Sequence, residues 1–177
     1  MNWQLVADRD NMAQTLEKVF ADWHQRCFAN SPNVHPGLSV EIRDLQEVQD
    51  WYLAYLLTPI ALYRLAMPLR VPDIPLPEGW SAAARVDQPC TGLGPALSLK
   101  IPGVLGQGHL QYLPEIGHFL WQPLVQNLRR YPDAAAVFAA WEGVIDHRRK
   151  TRASMQEQQR CDRRDFLRRL MPAPREP

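Results

Sequence analysis

Cysteine is scarce in this chain and poorly placed for cross-linking: Cys27, Cys90 and Cys161 are the only three in 177 residues. Their number is odd, their spacing is wide, and no C-x-x-C occurs. Neither a disulfide framework nor a zinc site is indicated, and a reducing cytoplasm is the expected compartment. Long apolar runs are missing too. Nowhere do about eighteen apolar residues stand together, the length that marks a membrane span. The start, Met1-Asn2-Trp3-Gln4-Leu5-Val6-Ala7-Asp8, has no basic segment followed by an apolar one. The sequence is therefore read as neither secreted nor stably inserted in a membrane.

Catalytic signatures are equally absent. His24, His35, His109, His118 and His147 form no H-E-x-x-H and have no carboxylate at the helical spacing that holds a metal. There is no G-x-S-x-G elbow and no Cys/His family signature. Gly103, Gly106 and Gly108 lack the G-K-S/T ending and the following helix of a phosphate loop. No metal and no cofactor is expected. The chain is read as a protein that binds, not as an enzyme.

What is present divides by charge. Residues 1–146 hold 10 Lys/Arg and 15 Asp/Glu, a balance of −5, whereas residues 147–177 hold 10 and 4, a balance of +6. With 46% hydrophobic residues there is enough apolar side chain for one core. The expected organisation is a domain over residues 1–150 and a flexible basic tail over residues 151–177, helical only when bound. Within the tail, Asp162-Arg163-Arg164-Asp165-Phe166-Leu167-Arg168 reproduces almost letter for letter the S-R-R-x-F-L-K pattern of a twin-arginine export signal, with Asp162 for Ser and Arg168 for Lys. It stands at the wrong end to export anything. Arg163, Arg164, Phe166 and Leu167 are read as imitating a signal that this protein recognises, with chance resemblance in an Arg-rich tail as the alternative.

Along the body, Met12, Leu16, Val19, Phe20, Trp23 and Cys27 recur at three- and four-residue spacing and predict a helix over residues 8–28. Residues 38–42 alternate as a half-buried strand does, and the aromatic-rich residues 51–57 are expected to pair with them in a hairpin with a longer loop. Thr58-Pro59 reads as a threonine cap with proline in the first helical position, predicting a short helix over residues 59–67. That helix is expected to stop at Pro68, and prolines at 72, 75 and 77 rule out regular helix or central strand in the stretch that follows. Two more strands are expected at residues 96–101 and 109–112, and a helix from residue 132 towards residue 152. Together these make an α+β domain, a small antiparallel sheet with helices on one side. Asp44, Glu47 and Asp50 beside Trp51 form the densest acidic and aromatic cluster, a candidate contact for a basic peptide.

Three segments then take on a specific resemblance. Leu16-Glu17-Lys18-Val19-Phe20, Val34-His35-Pro36-Gly37-Leu38-Ser39-Val40-Glu41, and Trp51 through Thr58-Pro59 to Ala66-Met67-Pro68 resemble the HybE/HupJ-type nickel-iron hydrogenase assembly chaperones. Their pattern is L-x-x-V-Y, N-P-x-L-x-V-E and W-x-G-x-x-x-T-P-W-x-M-N-L-x-L-L-P. His35 stands in place of Asn, Ile60 in place of Trp, and Gln122, in a weaker downstream match, in place of Ser. The resemblance implies a cytoplasmic, non-enzymatic chaperone. Its partner would be the hydrogenase small subunit precursor, whose twin-arginine signal peptide must be shielded until the enzyme is mature. The large subunit and other hydrogenase maturation chaperones are further partners it implies. Asp44, Glu47, Asp50, Trp51, Thr58, Pro59, Ile60 and Tyr63 are the expected client-binding residues. No nucleic acid is expected as a specific partner, because the body shows no helix-turn-helix, zinc-finger or aromatic stacking pattern. The alternative from another class is a small adaptor that binds nucleic acid or a membrane surface through the basic tail.

Overall fold

The computed structural model describes residues 3–6, 11–88, 93–99 and 106–170, with the backbone alone at residue 152 and residues 159–170. Contacts divide the chain into two compact units, Met1–Val137 and Phe138–Pro177.

The first unit is built on one antiparallel sheet. Its strands are β1 (Glu41–Val48), β2 (Trp51–Leu57), β3 (Ala61–Pro68), β4 (Ala96–Ser98), β5 (Gln107–Leu113) and β6 (Gly117–Gln126), and they lie in the order β1-β2-β3-β6-β5-β4. Helix α1 (Met12–Phe28) buries Met12, Leu16, Val19, Phe20, Trp23 and His24. The first five are in the stripe the periodicity predicts, whose sixth member, Cys27, is only partly buried, and they pack in one cluster with Ala54, Leu56, Leu65, Met67, Phe119 and Trp121. The expected start at residues 8–10 lies outside the described residues. A second cluster joins Trp3, Trp51, Leu53, Ala66, Leu110 and Leu120. Alternating strand positions thus feed two sets of contacts, as pleated strands do.

Three expectations give way to the structure. Residues 59–67 are not a helix. They form the turn Thr58–Ala61 and strand β3, which pairs β2 from Leu57↔Leu62 to Trp51↔Pro68 and β6 on its other edge. Ala, Leu, Arg and Met favour helix locally, but a central strand buried on both faces reads as a continuous apolar run, which periodicity cannot tell from a buried helix. The first strand begins at Glu41 rather than residue 38 and runs to Val48, so the hairpin closes through Gln49 and Asp50 alone, with Val48↔Trp51 as its last pair. Its charged sequence resembles a turn because it is an edge strand, where charge is tolerated. Strand β6 is an addition to the expected set. Pro123 hides it, yet the proline sits where the β3–β6 register shifts, with Tyr63↔Pro123 next to Leu62↔Val125, so its missing N–H is absorbed by an irregularity.

A small clamp holds the N-terminal segment. Buried His118 accepts the Gln4 N–H at Nδ1 (2.8 Å) and donates from Nε2 to the Trp80 carbonyl (2.8 Å). Those partners fix the neutral tautomer, and burial, the largest cause, lowers its pKa. Trp3 Nε1 donates to Ile74 O at 2.8 Å. The N-terminal segment and the proline-rich loop are thereby tied to β6. Cys27, near the end of α1, is disulfide-bonded. The odd, widely spaced set of cysteines indicates no framework, and it leaves room for this single bridge.

The second unit is the remainder of helix α3 (Ala134–Leu170). Asp133 accepts the Ala136 N–H at 2.8 Å and caps its start. The helix runs unbroken across the 150/151 boundary placed between domain and tail, carried by Arg, Gln, Glu and Met, all good helix formers. Arg149 pairs with Asp146 at 3.7 Å, and the Arg148 guanidinium lies 6.0 Å from the Trp141 ring. Cys161, Arg163, Arg164, Phe166 and Leu167 lie on this helix with their side chains outside those described. Among the described residues no helix is long and apolar enough to cross a membrane, and no cluster could hold a metal ion.

Candidate functional site: an aromatic groove on the sheet

The first unit carries a groove of about 590 Å³ whose walls are Trp23 and Phe28 of α1, Ile60, Ala61 and Tyr63 of the β2–β3 turn and β3, Trp121 and Pro123 of β6, and Leu93. Trp121, 2% exposed, forms its floor. Tyr63 stacks on that ring at 4.5 Å and 10°, and Trp23 meets it edge-on at 5.4 Å. Trp23 in turn meets Phe28 at 5.1 Å. These contacts hold the aromatic walls rigid, each ring fixed by the next. Burial pushes the Tyr63 hydroxyl up to about 12, so the ring it presents is uncharged over the whole physiological range. Leu93 stands 54% exposed at the wall, an apolar side chain that the core does not absorb.

One end of the groove is polar: Asn33, Gln126, Asn127 and Arg129 line it. Arg129 donates to the Pro32 carbonyl, which holds its guanidinium at the rim. Among the described residues no carboxylate lines the groove. The arrangement suits an uncharged, apolar segment of peptide, held by ring faces, with polar backbone or a counter-charge at the Arg129 end.

Thr58 positions the turn that forms one wall. Its Oγ1 accepts the N–H groups of Ile60 (3.3 Å) and Ala61 (3.2 Å) and donates to the Ala61 carbonyl (3.1 Å). The Thr58 N–H also donates to Ala61 O at 3.0 Å. Threonine thus does here what it does at a helix cap, with Pro59 fixing φ at the next position, but the product is a hairpin turn. Thr58 and Pro59 are buried and hold the turn, while Ile60 and Tyr63 reach the groove.

The acidic candidates are placed elsewhere and apart. Asp44, at φ 52° beside a register shift in β1, borders a hollow with Tyr55 and Arg64. Glu47 borders another with Asn11, Gln14 and Tyr52. Asp50 pairs with Arg70 at 3.4 Å and borders a third with Trp51 and Ile74. None lines the aromatic groove. Sequence reasoning does not select Trp23, Phe28, Leu93, Trp121, Pro123 or Arg129 as a site. Trp23 is visible as part of the α1 stripe, whose burial hides its second role.

A family model described as [NiFe]-hydrogenase assembly, chaperone, HybE matches residues 11–169. No curated protein matches the chain. A solution structure of HybE from Escherichia coli is similar over 75% of this chain and 74% of that one, at 13% identity and a TM-score of 0.49. The family match takes in α1, the six strands, the groove and nearly all of α3: the chain belongs to the HybE family of hydrogenase assembly chaperones.

Proposed function

We propose that the protein is a non-enzymatic chaperone of the cytoplasm that binds the hydrogenase small subunit precursor through its twin-arginine signal peptide, with the apolar segment of that peptide lying in the aromatic groove. The observation that carries this reading is the groove: a rigid apolar trough with one exposed leucine and no acid among its described residues, on a chain of an assembly-chaperone family. Ile60 and Tyr63 contact the client there, and Thr58 and Pro59 shape the wall. The acidic residues Asp44, Glu47 and Asp50 act at longer range, raising the encounter rate with a basic segment, while Trp51, buried in the second core cluster, supports the strand beside them. Residues 1–150 form the client-binding domain and residues 151–177 a separate basic arm. The large subunit and other maturation chaperones are partners of the same assembly.

The experiment is a titration of a small-subunit signal peptide into the full chain and into Leu93→Ser. Because Leu93 is already exposed, its replacement leaves stability nearly unchanged, while loss of a leucine contact of about 1.4 kcal/mol weakens binding roughly tenfold. Rising salt slows association and leaves dissociation little changed, since exposed charges are screened beyond about 8–10 Å. Unchanged affinity in Leu93→Ser removes the groove from the mechanism, and no binding of the signal peptide at all removes the reading.

A further inference from the structure

We propose that the twin-arginine-like segment of one copy's tail, residues 162–168, occupies the aromatic groove of a second copy and so competes with the client. The inference rests on the signal-peptide reading of the groove. Two independent features of the chain lead to it. Arg163-Arg164 followed by Phe166-Leu167 repeats, within the same polypeptide, the chemistry that a client would present. Charge supplies the complement: the stretch carrying this segment has a balance of +6 and the stretch carrying the groove −5, so copies attract one another head to tail.

The groove decides how the segment sits. Arg129 lines it and, among the described residues, no carboxylate does, so the Arg163-Arg164 pair stays outside the mouth, drawn by the net charge of the body, while Phe166 and Leu167 bring the apolar surface that the ring faces accept. Only two apolar residues precede Arg168-Arg169, against the longer apolar segment of an export signal. The tail therefore binds more weakly than a client and yields to it. Such a contact covers the apolar groove of an empty chaperone, at whose wall Leu93 stands exposed, a surface that otherwise invites non-specific association. It closes no symmetric dimer, because tail and groove are different surfaces, so occupancy rises with protein concentration.

The test uses the full chain, a labelled small-subunit signal peptide and a synthetic peptide of residues 162–172. The synthetic peptide is expected to displace the labelled one, and the same peptide with serine at the Phe166 and Leu167 positions to fail. In the full chain, apparent affinity for the signal peptide falls as protein concentration rises, by about twofold where half the grooves are occupied by tails. A full chain carrying Arg163→Gln, Arg164→Gln, Phe166→Ser and Leu167→Ser shows no such fall. The displacement measurement needs no variant, so it stands even if that chain folds poorly. Failure of the tail peptide to displace a bound signal peptide overturns the proposal and leaves the signal-peptide reading intact, whereas failure of the signal peptide to bind overturns both. An affinity deficit independent of concentration overturns the exchange between copies.

Discussion

Replacing Thr58 separates the hydroxyl from everything else at the β2–β3 turn. Thr58→Val keeps the shape and the β-branch but strands the N–H groups of Ile60 and Ala61, which Oγ1 accepts at 3.3 and 3.2 Å. The Ala61 carbonyl loses one donor and keeps the Thr58 N–H at 3.0 Å, so it adds little. Two stranded donors at about 1 kcal/mol each give a loss of about 2 kcal/mol at a site 1% exposed. For a chain of this size that lowers the thermal midpoint by roughly 4–8 °C. Thr58→Ser keeps the hydroxyl and loses one methyl, about 0.8 kcal/mol, so its loss stays below half of that in Thr58→Val. The assay is paired: thermal or denaturant unfolding, and signal-peptide titration below the transition. Because the turn carries Ile60 and Ala61 into the groove wall, Thr58→Val also weakens binding, while Thr58→Ser binds as the native chain does. The reasoning is refuted if Thr58→Val is as stable as the native chain, or if Thr58→Ser loses as much as Thr58→Val.

His118 has its pKa lowered chiefly by burial, and buried His24, whose Nε2 has no partner among the described residues, shifts the same way. Between their folded values and about 6.5 the unfolded chain holds more protons, so stability is complete above about pH 6.5 and declines as pH falls below it; a denaturant midpoint flat from pH 7 downward contradicts this. Gly117 sits at φ +78°, and a Cβ there meets the Gln4 carbonyl oxygen and lies 2.9 Å from its carbon. Gly117→Ala is therefore expected to cost more than about 1 kcal/mol and to free residues 3–6, read as faster amide exchange at Gln4; native protection there contradicts the clamp. Tyr63→Phe retains signal-peptide binding within about twofold, since only the ring face serves the groove, and a tenfold loss would reveal a hydroxyl contact instead.

The α1 stripe was legible because one helix face meets one sheet, and six apolar positions at helical spacing can do little else. Strand β2 was legible for a similar reason, as aromatic and branched residues with no helical period. Its neighbour β3 was not. Ala61 to Met67 carries helix formers, and only its two flanking strands, β2 and β6, decide its conformation. The β6 half of that information lies some fifty residues away in the sequence. Strand β1 failed in the opposite direction: an edge strand needs burial on one face only, so its acids and glutamines read as a turn. The proline in β6 is a strong local signal against a strand, overridden because one register shift accommodates it.

The acids of β1 and the rings of the groove show why a site is harder to read than a fold. Asp44, Glu47 and Asp50 are close in sequence, but a strand sends successive side chains to opposite faces, and the register shift between Arg43 and Gln46 turns them again. Proximity along an extended chain therefore disperses charge, and Asp50 is further engaged by Arg70. The aromatic residues behave in reverse. Trp23, Tyr63 and Trp121 are far apart in sequence and come together because α1 packs on β3 and β6 near their register shift. Each of them also serves the core, so the hydrophobic pattern that locates them describes their inner faces and is silent on the outer ones. What distinguishes this site from the rest of the core is an opening, and an opening is a property of where the turn at Thr58 and the end of α1 stop, which no run of residues encodes by itself.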